Sequence, residues 1–232
     1  MSITRFMTEH LPHAKPDTKP TQITTFSHST EHEAVFDCCD MSRDSIRRHI
    51  RQERNSLSRE EQLQLSLIAS RHLLSEIQQT SAQHVALYLS NDGELDTKPI
   101  IEALWKIGVK TYLPVIHPFS KGNLLFLRYD SHTDMVSNRY GIKEPKLDVT
   151  SVMTAAQLDM IVTPLVAFDD KGNRMGMGGG YYDRTLSNLS HSKTLAVGFA
   201  HDCQQASELP VQYWDIPLPV IITPTRRFTQ PE

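Results

Sequence analysis

From about residue 42 onward, the apolar positions of the chain switch between helical and strand-like spacing. Asp40 or Ser42 can cap a first helix, and Ser58 forms a capping box with Glu61 at the start of a second. A third helix is predicted over residues 97–106. Short apolar runs typical of buried strands occupy residues 84–89, 111–116, 124–129, 160–163, 194–199 and 220–223. This alternation predicts an α/β fold, a single layered domain around a mainly parallel sheet.

Residues 1–40 lack this periodicity and are rich in Thr, Ser, His and Pro. Such a segment has too few apolar residues to offset the entropy that ordering it would cost. We therefore expect a disordered leader over residues 1–40, followed by one domain over residues 41–232.

The composition is that of an ordinary globular protein, with 39% hydrophobic and 22% charged residues. A net charge of −3 and a pI near 6.4 argue against nucleic-acid binding, which needs a strongly basic surface. No apolar run approaches the ~18 residues of a transmembrane helix, and three cysteines, two of them adjacent, suit neither a disulfide framework nor a zinc site. We expect a monomeric cytoplasmic protein that acts on small molecules, without nucleic-acid or membrane partners.

Five of the ten glycines lie within residues 172–180, between a predicted strand and a segment that can begin a helix. Glycines let backbone N–H groups turn toward an anion without Cβ clashes, while Arg174 adds positive charge and Asp183 can hold a cation. The run has no Gly-Lys-Ser/Thr of a P-loop, and Tyr181 stands where a dinucleotide fingerprint has its third glycine. The sequence predicts a glycine-rich phosphate loop between strand and helix; a flexible surface loop is the alternative.

Other polar residues stand at positions where they can serve a ligand. Arg43, Arg47, Arg51 and Arg54 fall at three- and four-residue spacing, which predicts a basic face of the first helix separate from the face of Ile46 and Ile50. Arg43 and Arg47 lie one helical turn apart and can converge on a polyphosphate. Glu94 follows the first strand, Tyr140 lies in a loop, and Asp215 stands between prolines. Each segment taken alone has an ordinary explanation: a solvated helix face, a turn followed by a helix cap, a surface tyrosine or a loop acid.

Taken together, these segments resemble the 5-formyltetrahydrofolate cyclo-ligase family over residues 43–225. The family motif Phe-Asp-x-x-Gly-x-Arg-Leu-Gly-x-Gly-x-Gly-Tyr-Tyr-Asp stands here at residues 168–183, with Met175 in the leucine position. The family's basic helix motif is matched by Arg43 and Arg47, and its acidic turn by Glu94. The chain departs from many members at Gly179, where they have lysine or another side chain, and from some at Tyr140, where they have tryptophan.

The resemblance implies an ATP-dependent ligase that converts 5-formyltetrahydrofolate into 5,10-methenyltetrahydrofolate, ADP and phosphate with Mg²⁺. It assigns the ATP phosphates to Arg43, Arg47, Arg174, Met175, Gly176, Met177, Gly178, Gly179, Gly180, Tyr181 and Tyr182. It assigns catalysis to Arg174, Tyr182 and Asp183, the folate pocket to Leu89, Glu94 and Tyr140, and the metal to Asp183 and Asp215. The alternatives are a small-molecule kinase on a similar α/β frame and a folate- or nucleotide-binding protein without turnover.

Overall fold

The computed structural model describes residues 35–138, 141–189 and 191–230. Its α-helices are α1 (Arg43–Ser56), α2 (Arg59–Gln79), α3 (Lys98–Lys106) and α4 (Tyr181–Ser187). The strands that precede the glycine-rich segment are β1 (His84–Ala86), β2 (Lys110–Ile116), β3 (Leu124–Tyr129), β4 (Met135–Ser137), β5 (Lys143–Pro145), β6 (Val152–Met153), β7 (Met160–Thr163) and β8 (Ala167–Phe168). They are followed by β9 (Arg174–Met175), β10 (Leu195–Phe199), β11 (Val220–Ile222) and β12 (Arg227–Thr229).

One sheet of eight strands forms the centre of the fold, in the order β12-β11-β10-β7-β1-β2-β3-β6. Its five inner strands, from β11 to β2, pair in parallel. The strands at both edges pair antiparallel to their neighbours. The predicted α/β fold with a mainly parallel sheet is confirmed.

Both faces of this sheet are covered, which is why its inner strands are mostly apolar and do not alternate regularly with polar residues. Met160 and Val162 of β7 pack with α2 and α3 on one face. Ile161 points to the opposite face, where it packs with Leu186 of α4. None of the helices in the described ranges combines the length and apolarity needed to cross a membrane.

Helix α1 packs against a short hairpin that the sequence patterns did not predict. The hairpin pairs β8 with β9 between the sheet strand β7 and the glycine-rich segment. Ile46 and Ile50 of α1 form a third core cluster with Ala167 and Met175 of the hairpin. Helix α1 is thereby fixed directly beside the start of the glycine-rich segment.

The structure confirms the predicted helix caps, but the predicted basic face of α1 is wrong at one residue. The Ser42 side chain accepts a hydrogen bond from the Ser45 backbone N–H, and the capping box at the start of α2 is present. Arg54 was expected on the basic face of α1, yet it is fully buried. It follows Ile46 and Ile50 at four-residue spacing, which places it on the same inward side of the helix.

The domain begins earlier than the predicted boundary at residue 41. Phe36 pairs with Ala206 and stacks on His49 with a ring-centroid distance of 4.2 Å. Cys38 is buried, and its Sγ donates a hydrogen bond to the Glu208 carbonyl oxygen at 2.9 Å. Residues 35–40 therefore belong to the folded unit, which corrects the predicted leader at its end; residues 1–34 lie outside the described residues.

Two truncations are expected to differ. A protein that begins at residue 35 should keep the activity and melting temperature of the full chain, because residues 1–34 show no apolar period. A protein that begins at residue 41 loses the contacts of Phe36 and Cys38, and should melt roughly 4–8 °C lower for about 2 kcal/mol of lost packing. Thermal scans of the three proteins measure this; equal melting temperatures for the two truncations would show that residues 35–40 do not stabilise the domain.

Candidate active site

The candidate residues gather where parallel strands of the sheet end, which is the usual place for ligands in such folds. The loop after β1 carries Glu94. Strand β7 leads through the β8–β9 hairpin into the glycine-rich loop, which we define as residues 176–180. Helix α1 touches both loops, through Arg47 at one end and Arg54 at the other.

The glycine-rich loop is shaped by glycine-specific backbone and held by Arg47. Gly178 and Gly180 have φ angles of +94° and +65°, in the left-handed region that side chains disfavour. Arg47 Nε donates a hydrogen bond to the Gly176 carbonyl oxygen at 2.8 Å. A Cβ atom added to Gly178 would lie 3.6 Å from Arg47 Cζ. The loop therefore runs directly beside the guanidinium group of Arg47.

Gly179 is also fixed by its surroundings. Arg184 donates hydrogen bonds from Nη2 to the Gly179 carbonyl oxygen and, at 2.9 Å, from Nε to that of Gly122 in the β2–β3 turn. A Cβ added to Gly179 would lie 2.8 Å from the Tyr181 ring, closer than real Cβ contacts. A side chain at position 179 would therefore require the Tyr181 ring to shift.

Arg43 and Asp215, which were assigned to different ligands, form an ion pair. Arg43 Nη1 lies 2.5 Å from Asp215 Oδ2, and Nη2 donates to Oδ1 at 3.1 Å. Arg43 also donates to the Pro210 carbonyl oxygen, while the Gln212 backbone N–H donates to Asp215 Oδ2. Asp215 therefore fixes Arg43, and both of its carboxylate oxygens already accept hydrogen bonds.

Arg174 and Asp183 form the second ion pair of the site. Arg174 is 3% exposed, and its Nη2 donates to Asp183 Oδ1 at 2.8 Å. The Ile216 backbone N–H donates to the same oxygen. Arg174 Nε is buried and has no hydrogen-bond partner among the described residues. Burial lowers the pKa of Arg174, and Asp183 opposes that shift. A desolvated cation with an unused donor is suited to receive an anion.

The two carboxylates assigned to a metal differ in how well they suit one. Within the described ranges, no three His, Cys, Asp or Glu side chains lie together as a metal site. Mg²⁺, however, is commonly held by one or two carboxylates together with substrate phosphates and water. The hydrogen bonds that Asp183 accepts end at Oδ1, whereas Asp215 is engaged through both oxygens. Asp183 Oδ2 therefore suits a Mg²⁺ ion that is bound together with ATP. Asp215 would suit such an ion only after it released Arg43.

Glu94 lies in the loop after β1, where its surroundings stabilise the protonated form more than water does. Its Oε2 accepts a hydrogen bond from the Asn91 backbone N–H at 3.0 Å. Burial raises the pKa of Glu94 to about 7, and the positive charge of Arg54 limits the shift. The segment also forms the turn at Asp92 that the ordinary explanation predicted. Here a structural turn and a candidate binding residue coincide.

Tyr182 connects the two halves of the site. It interacts electrostatically with both Glu94 and Arg174, and burial raises its pKa, so its hydroxyl stays protonated. Leu89 lines a neighbouring cavity of about 360 Å³ together with Trp105 and Tyr129. Tyr140, the third predicted folate contact, lies outside the described residues.

The other residues assigned to the phosphates differ in exposure and contacts. Met175 is buried in the core, and its carbonyl oxygen accepts a hydrogen bond from the Val166 backbone N–H, so it anchors the start of the loop. Met177 is exposed at 54%. The Tyr181 carbonyl oxygen accepts a hydrogen bond from the Thr185 hydroxyl within α4. Gly176 provides the carbonyl that Arg47 binds.

Asp169 stabilises the hairpin that leads into the glycine-rich loop. The sequence analysis did not predict this role. It is fully buried, and its Oδ1 accepts hydrogen bonds from the backbone N–H groups of Lys171 and Asn173 at 3.0 Å each. Its Oδ2 accepts from Asn173 Nδ2 and the Leu209 backbone N–H. These bonds hold the turn of the β8–β9 hairpin. The one feature of the sequence that pointed to Asp169 was its place in the family motif at residues 168–183.

Comparisons with known proteins agree on one family. Residues 40–224 match the 5-formyltetrahydrofolate cyclo-ligase family. The chain is 53% identical over 177 residues to 5-formyltetrahydrofolate cyclo-ligase of Escherichia coli, which covers 76% of this chain and 97% of that protein. It is 49% identical over 176 residues to the protein of the same name from Haemophilus influenzae, with 76% and 94% covered. The solution structure of Aquifex aeolicus 5,10-methenyltetrahydrofolate synthetase is similar with a TM-score of 0.71 and 31% identity, over 83% and 94% of the two chains.

Proposed function

The chain belongs to the 5-formyltetrahydrofolate cyclo-ligase family, and from this premise we propose that the site formed by α1, the glycine-rich loop and the Glu94 loop carries out the family's reaction. In it, 5-formyltetrahydrofolate and ATP give 5,10-methenyltetrahydrofolate, ADP and phosphate. The observation that carries the proposal is the convergence of Arg47, buried Arg174 and the glycine-rich loop. The cyclo-ligase names of the relatives favour this reaction over the kinase and the non-catalytic alternatives.

The chemistry needs positioning and charge neutralisation more than a protein nucleophile. A formamide oxygen is a poor leaving group, so it first attacks the γ-phosphorus of ATP and ADP departs. N10 of the substrate then attacks the activated formyl carbon and loses its proton, and the carbon–oxygen bond breaks with release of phosphate. Such transfers depend on cations and oriented backbone donors around the phosphates.

The nucleotide half of the site supplies these groups. Backbone N–H groups of residues 174–182, with Arg43 and Arg47, bind the phosphates, and the buried guanidinium group of Arg174 adds positive charge beside them. Asp183 would hold Mg²⁺, which neutralises phosphate charge when it is bound with ATP. Tyr182, a neutral hydroxyl between the two halves, orients the reacting groups.

The folate half of the site recognises the substrate through Glu94, Leu89 and Tyr140. An ionised Glu94 carboxylate accepts hydrogen bonds from the N–H groups of the pterin ring, which supplies donors on one edge. We likewise propose a monomeric, cytoplasmic protein without nucleic-acid or membrane partners. That part of the proposal rests on the composition and the net charge of −3 alone.

The decisive experiment is a spectrum of the purified protein with 5-formyltetrahydrofolate and MgATP. The methenyl chromophore should appear, with one phosphate released for each methenyl group formed. The reaction should stop when ATP or Mg²⁺ is left out. A stable phosphorylated folate would indicate a kinase, and binding of both substrates without product would indicate a non-catalytic protein.

Folate affinity should depend on pH through Glu94. The free protein has a Glu94 pKa of about 7, so affinity should fall as the pH drops below 7, by up to about tenfold per pH unit. Above pH 7 the carboxylate is ionised and affinity should be constant. Glu94→Gln should lose this dependence and bind 5-formyltetrahydrofolate about 10- to 100-fold more weakly at pH 8, since a charged hydrogen bond is lost.

Calorimetric titrations of wild type and variant between pH 5.5 and 8.5 measure this effect, with ATP as the control ligand. ATP affinity should be the same in both proteins. Loss of ATP binding with normal folate binding in Glu94→Gln would remove Glu94 from the folate pocket.

A further inference from the structure

The loop that carries Glu94 has a strained backbone just before that residue. Asp92 and Gly93 both adopt left-handed conformations, with φ angles of +52° and +74°. For most residues with a side chain this conformation costs about 1–2 kcal/mol; aspartate adopts it more readily than most, and the contacts described below hold it in place. The contacts around Asp92 therefore determine the shape of the loop.

The principal contact comes from Arg54 of α1, whose side chain is completely buried. Arg54 Nε donates to the Asp92 carbonyl oxygen at 2.7 Å, and Nη2 donates to Asp92 Oδ2 at 2.9 Å. One residue thus holds both the backbone and the side chain of Asp92. A buried guanidinium group needs a charged partner, so the two residues fix each other.

Two neutral side chains also donate hydrogen bonds to this turn. Asn55 Nδ2 donates to the Asp92 carbonyl oxygen, and Gln62 Nε2 donates to the Gly93 carbonyl oxygen at 3.2 Å. A Cβ atom added to Gly93 would lie 2.8 Å from Asn55 Oδ1. The contacts from the end of α1 and the start of α2 therefore restrict the residues before Glu94 to one conformation.

Among the described residues, few groups near Glu94 carry charge at neutral pH. The titratable neighbours are Arg54 from α1, Asp92 from the same loop, Tyr88 after β1, Tyr182 from α4 and His201 after β10. Burial raises the pKa of both tyrosines and lowers that of His201 to about 4, so these three are neutral. The charges that act on Glu94 are therefore those of Arg54 and Asp92.

We propose that Arg54 and Asp92 are positioning residues for the folate: the ion pair between buried Arg54 and partly exposed Asp92 fixes the loop so that the Glu94 carboxylate meets the pterin ring. This inference rests on the proposed role of Glu94. Arg54 also lies on the helix that holds the glycine-rich loop through Arg47, so one rigid element sets the distance between the two substrates.

The test compares Arg54→Lys and Asp92→Asn with Arg51→Lys. Arg51 Nε contacts the same Asp92 Oδ2 at 2.6 Å, but its side chain is 45% exposed, which makes it a matched control. At pH 8, both test variants should raise the KM for 5-formyltetrahydrofolate about tenfold and leave the KM for ATP within twofold. Arg51→Lys should change neither by more than twofold, because exposed ion pairs contribute little.

A second measurement tests the electrostatic contact between Asp92 and Glu94. Burial is the main cause of the raised pKa of Glu94, and the negative charge of Asp92 raises it further. Asp92→Asn removes that charge, so the midpoint of the pH dependence of folate binding should move toward lower pH. An unchanged midpoint would contradict the contact, whereas general loosening of the fold would raise the KM for ATP as well as the KM for 5-formyltetrahydrofolate.

The remaining outcomes are also decisive. Normal folate KM values in both test variants, or equal increases in both KM values, would overturn the positioning role. Should Arg54→Lys fail to fold in a thermal scan, Asp92→Asn alone decides, because it keeps the shape of the side chain. If Glu94→Gln itself binds folate normally, the proposed folate pocket fails; if only the two test variants are normal, only the positioning role fails.

Discussion

Replacing Asp183 by asparagine is expected to lower kcat at least about 100-fold while 5-formyltetrahydrofolate still binds with wild-type affinity. The amide keeps an Oδ1 acceptor for Arg174 and for the Ile216 N–H, so the local shape is retained. It removes the negative charge that would hold Mg²⁺ against the phosphates, and it leaves the buried Arg174 without its counter-ion. The first effect acts on catalysis, and the second lowers stability.

Single-turnover rates and folate titrations of Asp183→Asn measure both quantities, and a thermal scan confirms that the variant is folded at the assay temperature. Asp170→Asn, a charge change of the same kind on an exposed residue of the β8–β9 hairpin, is the control and should behave as wild type. A variant that turns over normally but cannot bind folate would place Asp183 in the wrong half of the site.

Replacing Asp169 by alanine is expected to destabilise the protein by about 3 kcal/mol. The backbone N–H groups of Lys171, Asn173 and Leu209 and the side-chain amide of Asn173 would lose the acceptor that Asp169 provides. For a chain of this size the melting temperature should fall by roughly 6–12 °C.

Thermal and urea unfolding of Asp169→Ala are to be compared with Asp170→Ala, which removes an exposed carboxylate one position further along the chain. The control should melt within about 1 °C of wild type. The KM for ATP should also rise in Asp169→Ala, because the hairpin leads directly into the glycine-rich loop. A melting temperature close to that of wild type would mean that the buried carboxylate does not hold the hairpin.

The sequence predicted the architecture because its signals are local. The apolar runs of the inner strands, Ser42 and the Ser58–Glu61 capping box each express a preference of a few consecutive residues, and the structure confirms these elements. The β8–β9 hairpin was missed because strands of two residues leave no period to recognise. The boundary at residue 40 was too late because Phe36 and Cys38 are single apolar residues in a polar segment.

The site residues were assigned from their chemical types and from the resemblance to the family, and neither reveals which residues they contact. Arg51 and Arg54 are equivalent in a helical pattern, yet one lies at the surface and the other is completely buried. Asp215 was assigned to a metal, whereas its partner Arg43 lies 172 positions earlier in the chain. Contacts at such separations depend on the packing of α1 against the hairpin, which no local pattern encodes.

The double attachment of helix α1 restricts how the length of this segment can change. Arg47, bound to the glycine-rich loop, and Arg54, bound to the loop of Glu94, are seven positions apart, which is close to two full turns or about 10 Å of rise. Inserting or deleting one residue between them would rotate one end by about 100° relative to the other, so only one of the two loops could keep its arginine. Substitutions on the exposed side of α1 leave this helical phase intact, and a change of length there does not.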